Sequence, residues 1–423
     1  MSVHEQHHAL PPGRERATLI SLGAVQFTHV LDFMIMMPLG AQLMKVFNIT
    51  PSQFSHLVAA YGLAAAVSGF AGGFILDRFD RKRALLTLYA GFGLATFACG
   101  LAPTHHWLLM ARLAAGAFGG LASSLVSAMV GDVIPIERRG RALSFVMTSF
   151  AVASVVGVPA GLLLASKFGW HAPFFMLASC AAPSLVLASL ALPPIKTAVH
   201  DHEPWRQMRE ILSHRIHLRA FAVSAVLVMA GGCIVPFIAP SMVINAGLTE
   251  SQLAWAYGAG GLCSIVSMPL VGRLSDRVDK LRLLGWMSAG AVLVVLVLTR
   301  LGPTSLPVVC LVMALFMVTM SSRFTPAMAM VTNAVASRYR GGFMSVNAAV
   351  QQAASGLANV IAGVFVMEDG TGHLKGYPTL GYAAIGFFIL TYLLAAQLRA
   401  VAPHVSAPAT RSLAGEPPLE AIA

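Results

Sequence analysis

The sequence predicts an all-α integral membrane protein of twelve transmembrane helices, arranged as two parallel-repeat six-helix bundles. Composition, the apolar runs and an internal repeat each point that way. Hydrophobic residues make up 57% of the 423 and charged residues only 11%, with a mean hydropathy of +0.74; an ordinary soluble domain carries about 25% charged residues. Runs near the length needed to cross the hydrocarbon, about 20 residues, fall at 19–44, 54–76, 84–102, 106–130, 142–166, 171–192, 218–241, 252–271, 283–301, 305–331, 341–366 and 378–399. In lipid every backbone polar group needs an internal partner, and a barrel would show alternating strands instead of unbroken apolar blocks, so the runs are helices.

Residues 1–18 are polar and read as a cytoplasmic tail. The run after them is too long for a signal-peptide core, so no cleaved signal is expected. Pro38 is expected to kink the first span. Residues 19–192 form the first bundle and 218–399 the second. Between them 193–217, with Pro193, Pro194, Asp201 and Glu203, reads as a polar cytoplasmic linker, and 400–423 as a cytoplasmic C-terminal tail.

Loops on one side gather most of the basic residues, from Arg14 and Arg16 through Arg138, Arg139, Arg215 and Arg340 to Arg411; the other side has Lys45, Lys167, Arg300 and Lys375. Because Lys and Arg accumulate in cytoplasmic loops, both termini are assigned to the cytoplasm of a cell's inner membrane. The net charge of +11 is thereby explained without nucleic acid. The five cysteines lie in or near apolar spans and read as small buried hydrophobes. No metal or cofactor is expected.

Residues 50–85 laid on 249–284 without a gap give fourteen identities in 36 positions, among them Thr50/Thr249, Gln53/Gln252, Gly73/Gly272, Asp77/Asp276, Arg78/Arg277 and Asp80/Asp279. Polar positions carry the match, so shared greasiness does not explain it. Spans one to six and seven to twelve are two copies of one unit in the same orientation, related by an axis along the membrane normal. A seam between two such halves is where a substrate of a rocking transporter would sit.

The cluster Gly73, Asp77, Arg78, Arg81, Lys82 and Arg83, echoed at Gly272, Asp276, Arg277, Lys280 and Arg282, resembles the loop signature between the second and third helices of the major facilitator superfamily. The resemblance covers essentially residues 19–399, with Asp80 standing where the signature has glycine. It implies that Asp77 pairs with the other half and latches the outward-facing state, the gate group being Gly73, Asp77, Arg78, Arg81, Arg83, Asp276 and Arg277. Arg323, beside Pro326 in the cytoplasmic third of the tenth span, is expected either to contact the inward cavity or to stabilise that gate.

Ionisable groups at membrane depth are costly and by default functional. Asp32 is the only carboxylate near the middle of a span, roughly 20 Å along the first helix at 1.5 Å per residue, and is the candidate proton carrier; a paired Asp that only pins helices is the alternative. His29, one turn earlier, can tune or relay the proton or simply pack. Gln26, His29, Asp32 and Met36 share a face at helical spacing. Arg112, in "ARLAAGAFGG", needs an anion unless it snorkels to the interface marked by Trp107. Together with Gly116 it resembles the family's fourth-helix arginine motif, which implies that it assists proton transfer.

"SVVGVPAG", with Gly157, Pro159 and Gly161, resembles the Gly/Pro motif of the family's antiporters, without its Gly-Pro dipeptide and final double glycine. It favours export. Met229, Cys233 and Phe237 on the seventh span, Met317 and Met320 on the tenth, and Asn347 and Gln351 on the eleventh complete the candidate cavity, with core packing as their other reading.

No phosphate-binding loop or nucleophile constellation is present in the sequence, which argues against an ATP-driven pump and an enzyme. The expected function is proton-coupled efflux of small amphipathic compounds by alternating access, similar to the drug/proton antiporter branch. The alternative is a facilitator or importer of a polar metabolite such as a sugar or organic anion. The partners are the small-molecule substrate, protons and the lipid bilayer, and a monomer suffices.

Overall fold

Three of the repeat's matched polar pairs, Thr50/Thr249, Gln53/Gln252 and Asp80/Asp279, are helix caps. Asp80 accepts from the backbone N–H of Arg83 at 2.8 Å and Asp279 from that of Arg282 at 3.0 Å. Thr50 and Gln53 bond reciprocally, and Thr249 and Gln252 form the same capping box. Each satisfies N–H groups that the first turn of a helix leaves without intrahelical partners.

The computed structural model describes residues 11–75, 79–193, 204–336, 339–369 and 373–407. Among these, twelve helices are long and apolar enough to cross a membrane. They are α1 (Pro12–Ile35), α2 (Pro51–Ile75), α3 (Arg81–Gly100), α4 (His105–Val133), α5 (Ile136–Val152 and Val158–Phe168, joined by the π turn Ala153–Gly157), α6 (Ala172–Ala191), α7 (Arg215–Gly232 and Val235–Ile244), α8 (Glu250–Arg277), α9 (Lys280–Leu298), α10 (Leu306–Asn333), α11 (Arg340–Phe365) and α12 (Tyr377–Val401).

Several ends differ from those expected. The helix of α1 begins at Pro12, because proline at a helix start gives up only an N–H that had no partner. At Pro38, where a kink is expected, the helix is interrupted: the chain turns at 36–39 and resumes as the helix Gly40–Phe47. The seventh span is interrupted at 233–234. The linker region contains the helix Pro204–Ser213. α8 runs on to Arg277, so Asp276 and Arg277 lie in its closing turn and not in a loop.

Every main packing in one half has its counterpart in the other. α2 and α3 pack on α4 as α8 and α9 pack on α10; α1 packs on α5 and α6 as α7 packs on α11 and α12; α3 meets α6 as α9 meets α12. The halves join through α2 against α11 and α5 against α8, again a matched pair. This is the two-bundle architecture the sequence predicts.

The apolar core is joined at one end and divided at the other. One cluster combines both halves, from Leu31, Met36 and Phe54 to Phe237, Leu253 and Phe316. Two further clusters each belong to one half: Leu22 to Leu192, and Ile211 to Val405. The divided end carries the basic helix ends around residues 81–83, 138–141 and 273–282 and is the basic end; the joined end is the far end. Gly62 of α2 crosses α11 at Gln352, and Gly261 of α8 crosses α5 at Ser154. Nearer the basic end, Gly69 faces Ser124 of its own half, and Gly140, Gly272 and Gly341 face open space. The cleft therefore opens at the basic end.

Candidate functional site

Asp32 lies in the last turn of α1, just ahead of the break, and is fully buried. Its Oδ2 accepts from Arg112 Nη1 of α4 at 2.8 Å, and its Oδ1 from Thr96 Oγ1 of α3 at 3.4 Å. Arg112 Nη1 also reaches the Asp32 carbonyl at 3.3 Å. Arg112 is itself 0% exposed, which removes the snorkelling alternative. A buried ion pair is held in place by such added hydrogen bonds, since desolvation alone would oppose it.

The Arg112 guanidinium carbon stands 4.4 Å from the centre of the Tyr61 ring, and Tyr61 Oη bonds His29 Nδ1 at 2.8 Å. Four spans thus contribute to a buried chain running from His29 through Tyr61 and Arg112 to Asp32 and Thr96. His29 reaches the carboxylate through Tyr61 and Arg112. Gln26 accepts from Ser123 Oγ at 3.1 Å one level towards the basic end.

The glycines of "ARLAAGAFGG" make this chain possible. A Cβ on Gly116 would stand 2.3 Å from the Tyr61 carbonyl oxygen, and one on Gly119 would stand 2.7 Å from Tyr61 Oη and 2.8 Å from His29 Nδ1. On the other flank, Gly157 and Gly161 of α5 give room to Leu31 and Ile35, one residue before and three after Asp32, at 2.7 and 2.6 Å from where a Cβ would be. A Cβ on Gly258 of α8 would stand 3.7 Å from the Pro159 ring. The segment holding Gly157, Pro159 and Gly161 is therefore wedged between the helix of Asp32 and the opposite half, next to a π turn, a common irregularity at functional sites.

The expected cavity residues separate into two groups. Met36, Cys233 and Phe237 are buried; Met36 and Phe237 belong to the cluster sealing the far end, and Cys233 Sγ approaches the Ala358 carbonyl at 4.0 Å. They do not line open space in this state. Met229, Met317, Met320 and Gln351 are partly exposed, and the Gln351 amide lies 3.4 Å from Met328 Sδ. Asn347 is buried with its Oδ1 unpartnered.

In the expected gate group, Gly73 falls in the last turn of α2, while Asp77 and Arg78 lie outside the described residues. Arg81 pairs with Asp132 of α4 at 3.3 Å, within its own half. Arg83, Asp276 and Arg277 are exposed. Arg323 is not part of that surface: it is buried in the second half, bonded to Ser288 of α9 and stacked on Phe388 of α12.

Tyr61, Thr96 and Ser123 were not singled out from the sequence. They are neutral, and nothing in their local pattern points at Asp32 or Gln26. The small residues of α4 were the one available signal, since they marked where another helix comes close.

At the far end the Gln42 amide donates to the carboxylate of Glu250 across the halves, and to the Ala165 carbonyl at 3.3 Å. Phe54 and Phe237 meet edge-to-face at 6.2 Å. Glu250 in the first turn of α8 also suits the positive end of that helix. Glu250→Ala is expected to weaken the seal by about 1 kcal/mol, a roughly five-fold shift in closure. The check is labelling of a cysteine introduced at Ser52 by a membrane-impermeant reagent; an unchanged rate would mean the contact does not hold the seal. A cavity of about 580 Å³ lined by Asn48, Thr50, Gly363 and Glu368 also lies at this end, remote from Asp32.

A membrane-spanning bundle of two repeats, joined at one end and cleft at the other, with ionisable groups buried inside its halves, is the framework of a secondary transporter of small molecules. The chain belongs to the Major Facilitator Superfamily, which it matches over residues 22–358 and, in an overlapping match, 220–421. It is 26% identical over 380 residues to the uncharacterized MFS-type transporter YceJ of Bacillus subtilis, covering 88% of this chain and 93% of that one. It is 28% identical over 271 residues to a chloramphenicol resistance protein of Streptomyces lividans, covering 59% of this chain and 68% of that one. In fold it resembles a bacterial homologue of the human lysosomal transporter Spinster in an inward-facing, occupied conformation, with a TM-score of 0.76 at 15% identity over 94% of this chain and 99% of that one.

Proposed function

We propose that the chain is a proton-coupled antiporter that exports small amphipathic compounds by alternating access. The observation that carries this reading is the buried Asp32–Arg112 pair at 2.8 Å. A proton arriving on the Asp32 carboxylate cancels its charge and turns an ion pair into a bond in which only the guanidinium is charged, which weakens it. Arg112 is then the uncompensated charge, and a rearrangement that relieves it becomes favourable. Because Leu31 and Ile35 bear on Gly157 and Gly161, a shift in the last turn of α1 is passed to α5, whose other face meets α8 across the halves.

In this reading the bundles 19–192 and 218–399, joined by the linker 193–217, rock against each other, the basic end faces the cytoplasm with both termini, and the cleft described above is the inward-open state of an inner-membrane protein. Similar proteins named for chloramphenicol resistance and, in Bacillus subtilis, for multidrug resistance support amphipathic substrates. The gate group around Asp77 would close the basic end in the opposite state.

The test is drug-triggered proton movement in proteoliposomes loaded with a pH dye. Proton flux opposite to the drug is expected in the wild type, falling by two orders of magnitude or more in Asp32→Asn, on the order of what a lost proton-transfer group costs. Drug transport that persists in the variant with no pH response would replace antiport with facilitated passage.

A further inference from the structure

Arg323 is the second arginine buried within the spans, 1% exposed, and it lacks what Arg112 has. Its Nε donates to Ser288 Oγ at 3.1 Å. Its guanidinium carbon lies 3.9 Å from the centre of the Phe388 ring. Nη1 meets only the Met320 thioether, at 3.9 Å, and Nη2 is buried with no hydrogen-bond partner. Among the described residues no carboxylate stands within ion-pair distance of it.

A guanidinium stays protonated in proteins, and a buried charge without a counter-charge is strongly unfavourable. The Phe388 face offsets part of that cost. The rest calls for an anion, and the geometry indicates which kind. Ser288 takes the Nε side of the fork and leaves the Nη1–Nη2 edge without an oxygen partner, the edge that receives two oxygens of one planar carboxylate.

The side chain lying against that edge, Met320, is a deformable one. Met320 shares a helix face with Met317 and Phe324, three residues before and four after it. Met317 packs near Gly260 of α8, and Phe324 is 41% exposed. A methionine has three rotatable bonds and can swing aside at little cost.

We propose that Arg323 receives the head group of the substrate: the transported compounds carry a carboxylate on an apolar body, with the carboxylate on the Nη1–Nη2 edge and the body along Met317, Met320 and Phe324. The proposal rests on the transporter reading for its meaning, but it concerns equilibrium binding and does not depend on proton coupling. It separates the two buried arginines by role. Arg112 is neutralised from within the protein, and Arg323 is neutralised by cargo.

The experiment is binding of 2-naphthoate and 2-naphthamide, one body with and without the charge, to the purified full chain in detergent, for wild type, Arg323→Gln and Arg323→Lys. Wild type is expected to prefer the carboxylate by about tenfold or more, Arg323→Gln to lose the preference, and Arg323→Lys to keep only part of it for want of the planar fork. An unchanged acid-to-amide ratio in Arg323→Gln, with only a lowered melting temperature, would overturn the proposal and leave Arg323 as a brace between α9, α10 and α12. Should Arg323→Gln not fold, Arg323→Lys decides, an undiminished ratio counting against the proposal. Chloride or acetate stabilising the protein as well as naphthoate does would also overturn it, the site then holding a free ion and not a substrate. Loss of proton flux in the liposome assay with naphthoate binding intact would sink the antiport reading and leave this one standing.

Discussion

Arg112→Leu is expected to destabilise the protein by about 3–5 kcal/mol, the usual cost of leaving one partner of a buried ion pair without the other. The double variant Asp32→Asn/Arg112→Leu is expected to recover much of that loss, because it removes the charge that Arg112 compensates. Thermal denaturation of both in the same detergent checks the order. The two sites are in contact at 2.8 Å, so the effects should be far from additive. A double variant no more stable than Arg112→Leu would show that the cost lies in packing against Tyr61 and not in the stranded carboxylate. Transport should be lost in both, which separates the stability role of the pair from its coupling role.

Gly116→Ala is expected to cost about 1–3 kcal/mol, as overpacking does in a well-filled core. The added methyl would meet the Tyr61 carbonyl oxygen at 2.3 Å, and a backbone atom in mid-helix cannot swing away as a side-chain tip can. α2 would have to retreat from α4, carrying the Tyr61 ring out from under Arg112. Gly131→Ala in the same helix is the control: a Cβ there meets nothing within 4 Å, and alanine gains up to about 1 kcal/mol of helix propensity over glycine. Equal melting temperatures for the two variants would mean that the close approach at Gly116 is not needed.

The spans were legible because each is a block of apolar residues long enough to cross lipid, and the two-bundle arrangement because the repeat matches at polar positions. Three of those positions, Thr50, Gln53 and Asp80, prove to be caps, so part of what the repeat records is how helices begin. Hydropathy misjudged helix ends for a physical reason. α8 continues past its apolar stretch to Arg277, since a helix does not stop where the lipid does. The break at 36–39 was half visible through Pro38, and the one at 233–234 was not foreseen.

Asp32 and Arg112 stood out because charge is rare at that depth. Tyr61 and Thr96 did not, since a neutral side chain acquires its role only from what the fold brings beside it. Arg323 was seen, but whether it faced the cavity or the gate depended on which neighbours it turned to, and no local pattern encodes that.

The crossings of α2 on α11 at Gly62 and of α8 on α5 at Gly261 flank the central cleft at mid-depth, where glycine lets two backbones touch. Two such points define a fulcrum. Near a fulcrum the displacement is smallest and the ends travel furthest, so the contacts there persist while those at either mouth are exchanged. Widening a crossing with a larger side chain would therefore act as a change of pivot: it would alter how fast the protein turns over in either direction while leaving the affinity of the cleft for its cargo nearly untouched.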